Sequence, residues 1–116
     1  MTEAQEQATL FKWARQESIR GKYPELKLLL HIPNGGSRDP IEGKHLKQQG
    51  VKAGVPDLIL PVPRGIYAGL FIEMKTELGK TTFEQDWWLE QLRSQGYSAS
   101  VCHGWRAAAR TIEWYL

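Results

Sequence analysis

Two short apolar segments that carry charged residues constrain the fold of this chain more than any other feature. Asp57 lies in the first, residues 55–62, while Glu73 and Lys75 lie in the second, residues 69–76. Successive side chains of a strand point to opposite faces, so Glu73 and Lys75 share one face and Met74 points to the other. Charges inside apolar strands carry a desolvation penalty unless they are paired, solvated or bound to a metal ion. The pattern predicts two neighbouring strands that carry a polar site.

The order of apolar runs and turn residues predicts one mixed α/β domain over residues 1–116, with a small sheet flanked by helices. Pro61, Pro63 and Gly65 separate the two charged segments and predict that they pair as an antiparallel hairpin. The predicted strands are residues 27–32 (buried), 55–62, 69–76 and 98–103. The predicted helices are residues 2–20, 41–49, 81 or 82 to about 95, and 106–115.

Two helix starts have candidate caps in the sequence. Thr2 is expected to cap the first helix. The helix after the second charged segment has two alternative capping boxes, Thr81 with Glu84 or Thr82 with Gln85.

The composition indicates the cellular environment of the protein but says little about its activity. The chain has 15 Lys and Arg residues against 13 Asp and Glu, so its formal charge of +2 argues neither for nor against nucleic acid. The single cysteine, Cys102, excludes an intramolecular disulfide, and three scattered histidines give no zinc spacing. The polar, acidic start does not resemble a signal peptide, and no run reaches the roughly 18 apolar residues that span a bilayer. We expect a cytoplasmic protein without a membrane partner or organic cofactor.

Two carboxylates and a lysine on adjacent strands are the parts of a Mg²⁺ site for phosphodiester hydrolysis. Asp57 and Glu73 supply carboxylate ligands in this interpretation, and the main-chain carbonyl of Met74 is a third. Lys75 is placed to hold or deprotonate the attacking water, or to stabilise the developing negative charge. The alternative is that Glu73 and Lys75 form a solvated pair and Asp57 is a turn residue. Their combination on neighbouring apolar strands favours the site.

A wider set of motifs resembles a known family. These are PNGG at residues 33–36, GVKAGVPDLILP at residues 50–61, EMK at residues 73–75, Gln85 with Trp88, and GYSASVCHG at residues 96–104. In this order they resemble the virus-type replication-repair nuclease (VRR-NUC) domain in its compact, stand-alone phage form, a branch of the PD-(D/E)XK nucleases. The resemblance implies a restriction-endonuclease-like α-β-β-β-α-β core and a DNA nuclease that depends on Mg²⁺ or Mn²⁺. It also implies the cytoplasm of a bacterium or phage-infected host cell.

The resemblance further implies that Asp57 and Glu73 bind metal, that Lys75 is catalytic, and that a glutamate of the first helix completes the site. Glu3 and Glu6 are both candidates. Glu3 is preferred because it shares the apolar stripe of its helix and because Gln7 follows it by four residues, as in the family pattern. Both glutamates also suit the positive end of the helix dipole without any catalytic role.

Further residues are candidates for DNA contacts. Gln85 lies one turn into its helix, from which its amide either reaches the site or a phosphate, or serves only as a cap. Basic and glycine-rich segments flank the charged strands and suit phosphate contacts, although solvated surface charges are equally expected there. The candidate DNA-binding residues are Asn34, Gly35, Gly36, Arg38, Lys44, Lys52, Lys80 and Gln7.

Together with the resemblance, these features predict a structure-selective endonuclease, and the resemblance implies that it cuts branched DNA, such as Holliday junctions, in replication, recombination or repair. The resemblance implies a homodimer, and since adjacent Trp87 and Trp88 cannot both be fully inside, one of them is a candidate for the dimer surface. One alternative is a nuclease of other specificity, such as a nickase, flap endonuclease or exonuclease. Another is a non-catalytic DNA-binding module.

Overall fold

The computed structural model describes residues 1–33 and 39–116, which form a four-stranded mixed sheet with helices on both faces. Its helices are α1 (Glu3–Ala14), α2 (Glu17–Lys22), α3 (Pro40–Gln48), α4 (Phe83–Ser94) and α5 (Trp105–Tyr115), with a 3₁₀ helix at Pro24–Leu28. Its strands are β1 (Leu30–His31), β2 (Leu58–Leu60), β3 (Leu70–Lys75) and β4 (Ser98–His103). The predicted mixed α/β fold is confirmed.

The sheet follows the chain order β1-β2-β3-β4. β1 pairs with β2 and β2 pairs with β3 in antiparallel fashion, so the predicted hairpin is confirmed. β4 runs parallel to β3, because the chain crosses over through α4 before it re-enters the sheet. This topology places β3 at an interior position, between the strand that follows Asp57 and the last strand.

Side chains of β3 alternate between two cores. Leu70, Ile72 and Met74 belong to the larger core, which also contains residues of α1 and α5. Phe71 belongs to a smaller core with Leu89 of α4 and Ala99 of β4. All six residues of β3 are buried, so Glu73 and Lys75 lie inside the domain.

Several helix starts agree with the sequence. Thr2 caps α1, and its side chain and that of Gln5 form a reciprocal capping box. Of the two alternatives for α4, Thr82 with Gln85 forms the box. Thr81 instead donates a side-chain hydrogen bond to Asp86 over 2.6 Å.

The first predicted helix is two helices. α1 ends at Ala14, and Gln16 adopts an extended backbone conformation before α2 begins. Arg20 of α2 donates its Nε–H to the Ala14 carbonyl over 3.3 Å, which satisfies one of the acceptors that a helix end leaves open. The chain therefore bends where its composition remains favourable to helix.

Two predicted strands were too long. The buried strand predicted at residues 27–32 is wrong, since the 3₁₀ helix begins at Pro24 and leaves only β1, whose two residues are exposed. β2 is confined to Leu58–Leu60, so Asp57 lies one residue before the strand.

Among the described residues no helix is long and apolar enough to cross a membrane.

Gly54 packs the loop before Asp57 against the first turn of α4. Its φ is +90°, and a Cβ atom there would lie 2.7 Å from the main-chain carbon of Glu84. Gly50 has a similar φ of +100°, but a Cβ atom on this residue would have no neighbouring atom within 4 Å. The two glycines share a positive φ, but only Gly54 is closely packed, so comparing them distinguishes the effect of packing from that of backbone conformation.

We predict that Gly54→Ala destabilises the protein by about 2 kcal/mol more than Gly50→Ala, because only the first substitution forces two backbone segments apart. Urea unfolding of both variants measures the difference. Equal losses of unfolding free energy would contradict the close-packing explanation.

Candidate active site

Asp57 is held by both its main chain and its side chain. Its carbonyl accepts a hydrogen bond from the Ile32 amide over 2.7 Å, and His31 Nδ1 lies 2.8 Å from the same oxygen. Its carboxylate Oδ2 accepts from the Met74 amide over 2.7 Å. The Met74 N–H lies opposite the residues that precede β2, so the Asp57 side chain, and not the backbone of β2, accepts from it. Asp57 is thereby positioned beside Glu73.

Glu73 is the most buried charged side chain of the site, with 1% of its surface exposed. Its Oε1 atom is buried and has no hydrogen-bond partner among the described residues. Burial, a hydrogen bond with Asp57 and the charge of Asp57 raise the pKa of Glu73 to about 9, and the charge of Lys75 opposes this shift. A buried carboxylate oxygen without a hydrogen-bond partner costs folding free energy unless a proton or a cation satisfies it.

Three carboxylates converge at this point. One oxygen from each of Glu3, Asp57 and Glu73 lies within 4.8 Å of the others. The three side chains range from exposed Glu3 through half-buried Asp57 to buried Glu73. Like charges this close repel one another, and a divalent cation removes the repulsion. Carboxylate oxygens are also the ligands that Mg²⁺ and Mn²⁺ prefer, so these residues fit a hard divalent ion.

The main-chain carbonyl of Met74 faces the same side of β3 as the Met74 amide, which donates to Asp57. Leu58 pairs with Ile72, and continuing this antiparallel register sets Met74 opposite Pro56. Proline has no N–H, so this strand offers the Met74 carbonyl no donor. The proposed third ligand is therefore compatible with the sheet.

Lys75 is buried beside this cluster, with 7% of its surface exposed. It lies two residues beyond Glu73 on the same strand face, and its charge favours the ionised form of Glu73. His103 is its parallel partner in β4, and the His103 Nδ1 atom lies 2.9 Å from the Thr76 carbonyl oxygen. Nothing in the residue spacing had singled out His103, because the parallel pairing depends on the crossover through α4.

The two candidate glutamates of α1 have different surroundings. Glu3 belongs to the carboxylate cluster, whereas Glu6 Oε2 accepts a hydrogen bond from the Trp105 amide over 2.5 Å. The sequence offered no signal for the Glu6 contact, which joins residues 99 positions apart. This geometry favours Glu3 as the member of the site.

Other predicted site residues lie at varied positions. Gln85 Oε1 accepts from the Thr82 amide over 2.9 Å, so the oxygen serves the cap. Gln7 is half-buried on α1. Lys44 on α3, Lys52 before β2 and Lys80 after β3 are exposed. Their contacts with DNA stay a prediction, and Asn34, Gly35, Gly36 and Arg38 lie outside the described residues.

Neither Trp87 nor Trp88 is fully buried. Their rings meet edge to face with centroids 5.5 Å apart. Trp88 donates its Nε1–H to the Ala53 carbonyl over 3.1 Å, while Trp87 is 49% exposed. Trp87 is therefore the better candidate for a protein contact, and the homodimer stays a prediction.

The raised pKa of Glu73 makes a prediction about stability in metal-free protein. Folding favours the protonated acid, so this contribution is fully present below the ordinary pKa of 4.5 and is lost as pH rises toward about 9. Glu73→Gln should therefore gain unfolding free energy relative to wild type across that interval. Urea unfolding with a chelator at several pH values tests this, and Glu90→Gln, which changes an exposed acid of α4, is the control. Parallel pH profiles for wild type and Glu73→Gln would contradict it.

Comparison with known proteins agrees with the family resemblance that the motifs carry. The VRR-NUC domain model matches residues 1–106. A solved structure described as a VRR_NUC domain protein is 32% identical in sequence, with a TM-score of 0.83, and the match covers 100% of this chain and 88% of that chain. No curated protein matches the chain significantly. The chain therefore belongs to the VRR-NUC family of nucleases.

Proposed function

We propose that this nuclease is a metal-dependent, structure-selective endonuclease that hydrolyses phosphodiester bonds in branched DNA. The observation that carries the proposal is the cluster of Glu3, Asp57 and Glu73 beside buried Lys75. An acidic cluster with an unpartnered buried oxygen supports cation binding, and a neighbouring lysine supports hydrolysis.

Each residue has a separate task in this mechanism. Asp57, Glu73 and Glu3 would hold Mg²⁺ or Mn²⁺, with the Met74 carbonyl as a further ligand. The bound ion would neutralise phosphate charge and make a coordinated water more acidic. Lys75 orients or deprotonates the attacking water, or stabilises the negative charge that develops on the phosphate. Attack is in line and no covalent enzyme intermediate forms.

The burial of Lys75 supports this role. Lys75 shares its strand face with Glu73 and is nearly excluded from solvent. Its ammonium charge consequently acts through a medium less polar than water, where its effect on a developing charge is larger. A surface lysine would be screened by water and would have many conformations to lose.

Selection of branched DNA is the finer part of the proposal. Exposed Lys44, Lys52 and Lys80 are available for phosphate contacts, which depend on backbone geometry and carry no base sequence. A homodimer would present two active sites to two strands of a junction, with exposed Trp87 as a candidate contact. Gln85, whose oxygen caps α4, retains its amide N–H groups for a phosphate.

We predict that Asp57→Ala abolishes measurable cleavage and that Lys75→Met, which keeps the apolar stem, slows it by about 10²–10⁴-fold. Single-turnover cleavage of a four-way junction with Mg²⁺ or Mn²⁺ measures both. Lys12→Met, an exposed substitution on α1, is the matched control and should cut at the wild-type rate.

The same assay on flap, splayed-arm and linear duplex DNA tests the substrate class. Preferred cutting of the junction supports the proposal, whereas equal rates on linear duplex would contradict structure selectivity alone. Undiminished cutting by Asp57→Ala would contradict the catalytic assignment.

A further inference from the structure

Glu3 occupies a position that is difficult to hold. It is the first residue of α1 and is exposed, and terminal turns of helices open more readily than their interiors. The buried residues of α1, Leu10 and Ala14, lie about two and three turns further along the helix. Packing in the core therefore fixes the later part of α1 more firmly than the turn that carries Glu3.

Glu6 attaches this first turn to another helix. Its Oε2 accepts from the Trp105 amide at the first position of α5, over 2.5 Å. The residue that precedes α5, Gly104, has no side chain to cap the helix, and Glu6 of α1 supplies an acceptor for the first open N–H of α5. A carboxylate is also favoured there by the helix dipole. Since Glu3 and Glu6 are three residues apart, they lie on neighbouring positions of one helix face.

Gly104 makes this attachment feasible. Its φ is +93°, a conformation that L side chains rarely adopt. A Cβ atom at this position would lie 2.9 Å from Glu6 Oε2, closer than ordinary contact allows. The nearest obstructed atom is the far end of a flexible side chain, so a methyl group would push the Glu6 carboxylate away, and the φ of +93° would also strain the backbone of the substituted residue.

We infer that Glu6 is a positioning residue, which holds the first turn of α1 on α5 so that Glu3 stays in the carboxylate cluster. The inference rests on the proposed metal-dependent function and deepens it by separating the tasks of two glutamates one turn apart. Glu3 contacts the ion, whereas Glu6 acts through Glu3. Gly104 belongs to the same device, because it leaves room for the Glu6 carboxylate.

The test compares Mn²⁺ affinity, measured by calorimetry without DNA, among variants of the full chain. Glu6→Ala and Gly104→Ala should each weaken Mn²⁺ binding by about 10–100-fold, the range typical of residues that orient a metal ligand. Glu6→Gln keeps an acceptor oxygen and should recover part of the affinity. Glu17→Ala, which removes an exposed acid from the first turn of α2, is the control and should bind Mn²⁺ as wild type does.

A double-mutant comparison separates positioning from general destabilisation. If Glu6 acts through Glu3, adding Glu6→Ala to Glu3→Ala should cause no further loss of Mn²⁺ affinity. In metal-free protein, hydrogen exchange of the residue 6–9 amides should accelerate in Glu6→Ala and Gly104→Ala.

Two results would overturn the inference. One is Mn²⁺ binding by Glu6→Ala equal to that of wild type, and the other is a full additional loss in the Glu3→Ala background. Either leaves the proposed function standing as long as wild type binds Mn²⁺. If wild type binds no Mn²⁺, the proposed function and this inference both fail.

Discussion

The site of this nuclease depends on the burial of Glu73 next to a second carboxylate. An ionised acid inside a sheet loses the hydration that it has in the unfolded chain, and Asp57 adds repulsion. Lys75 offsets part of this cost, but Glu73 Oε1 still has no hydrogen-bond partner among the described residues. Without a cation, the Glu73 carboxyl group therefore stays protonated until the pH approaches its raised pKa of about 9. A divalent ion would make the same arrangement favourable, so in the proposed function the cost in folding prepares a binding site.

Three parts of the chain meet to make that arrangement. β3 carries Glu73 and Lys75, the segment before β2 carries Asp57, and the first turn of α1 carries Glu3. Because β2 begins only at Leu58, Asp57 accepts from the Met74 N–H with its side chain in place of its backbone. The ladder also stops at a proline, which leaves the Met74 carbonyl without a donor from this strand. A longer, more regular β2 would have taken up the groups that the site needs.

The predictable part of this architecture is local in the sequence. Alternation along β3 predicted that Glu73 and Lys75 share a face opposite Met74, and turn residues predicted the hairpin that brings Asp57 near them. Helical phase, together with the spacing between Glu3 and Gln7, favoured Glu3 over Glu6. The contact between Glu6 and Trp105 was not predictable in this way, because it depends on how α1 and α5 pack across the sheet. The break near Gln16 and the 3₁₀ helix at Pro24–Leu28 were missed because individual contacts, such as the hydrogen bond from Arg20 to the Ala14 carbonyl six residues earlier, outweigh helix or strand composition.

In the proposed function, Glu3, Asp57 and Glu73 together hold one or more divalent ions. Anomalous diffraction from crystals soaked in Mn²⁺ tests it most directly, since the signal locates the metal without reference to activity. We expect an anomalous peak among these three carboxylates, within about 2.0–2.5 Å of their oxygens and of the Met74 carbonyl. A fully soaked crystal that shows no peak there, or a peak coordinated by other residues, would contradict it.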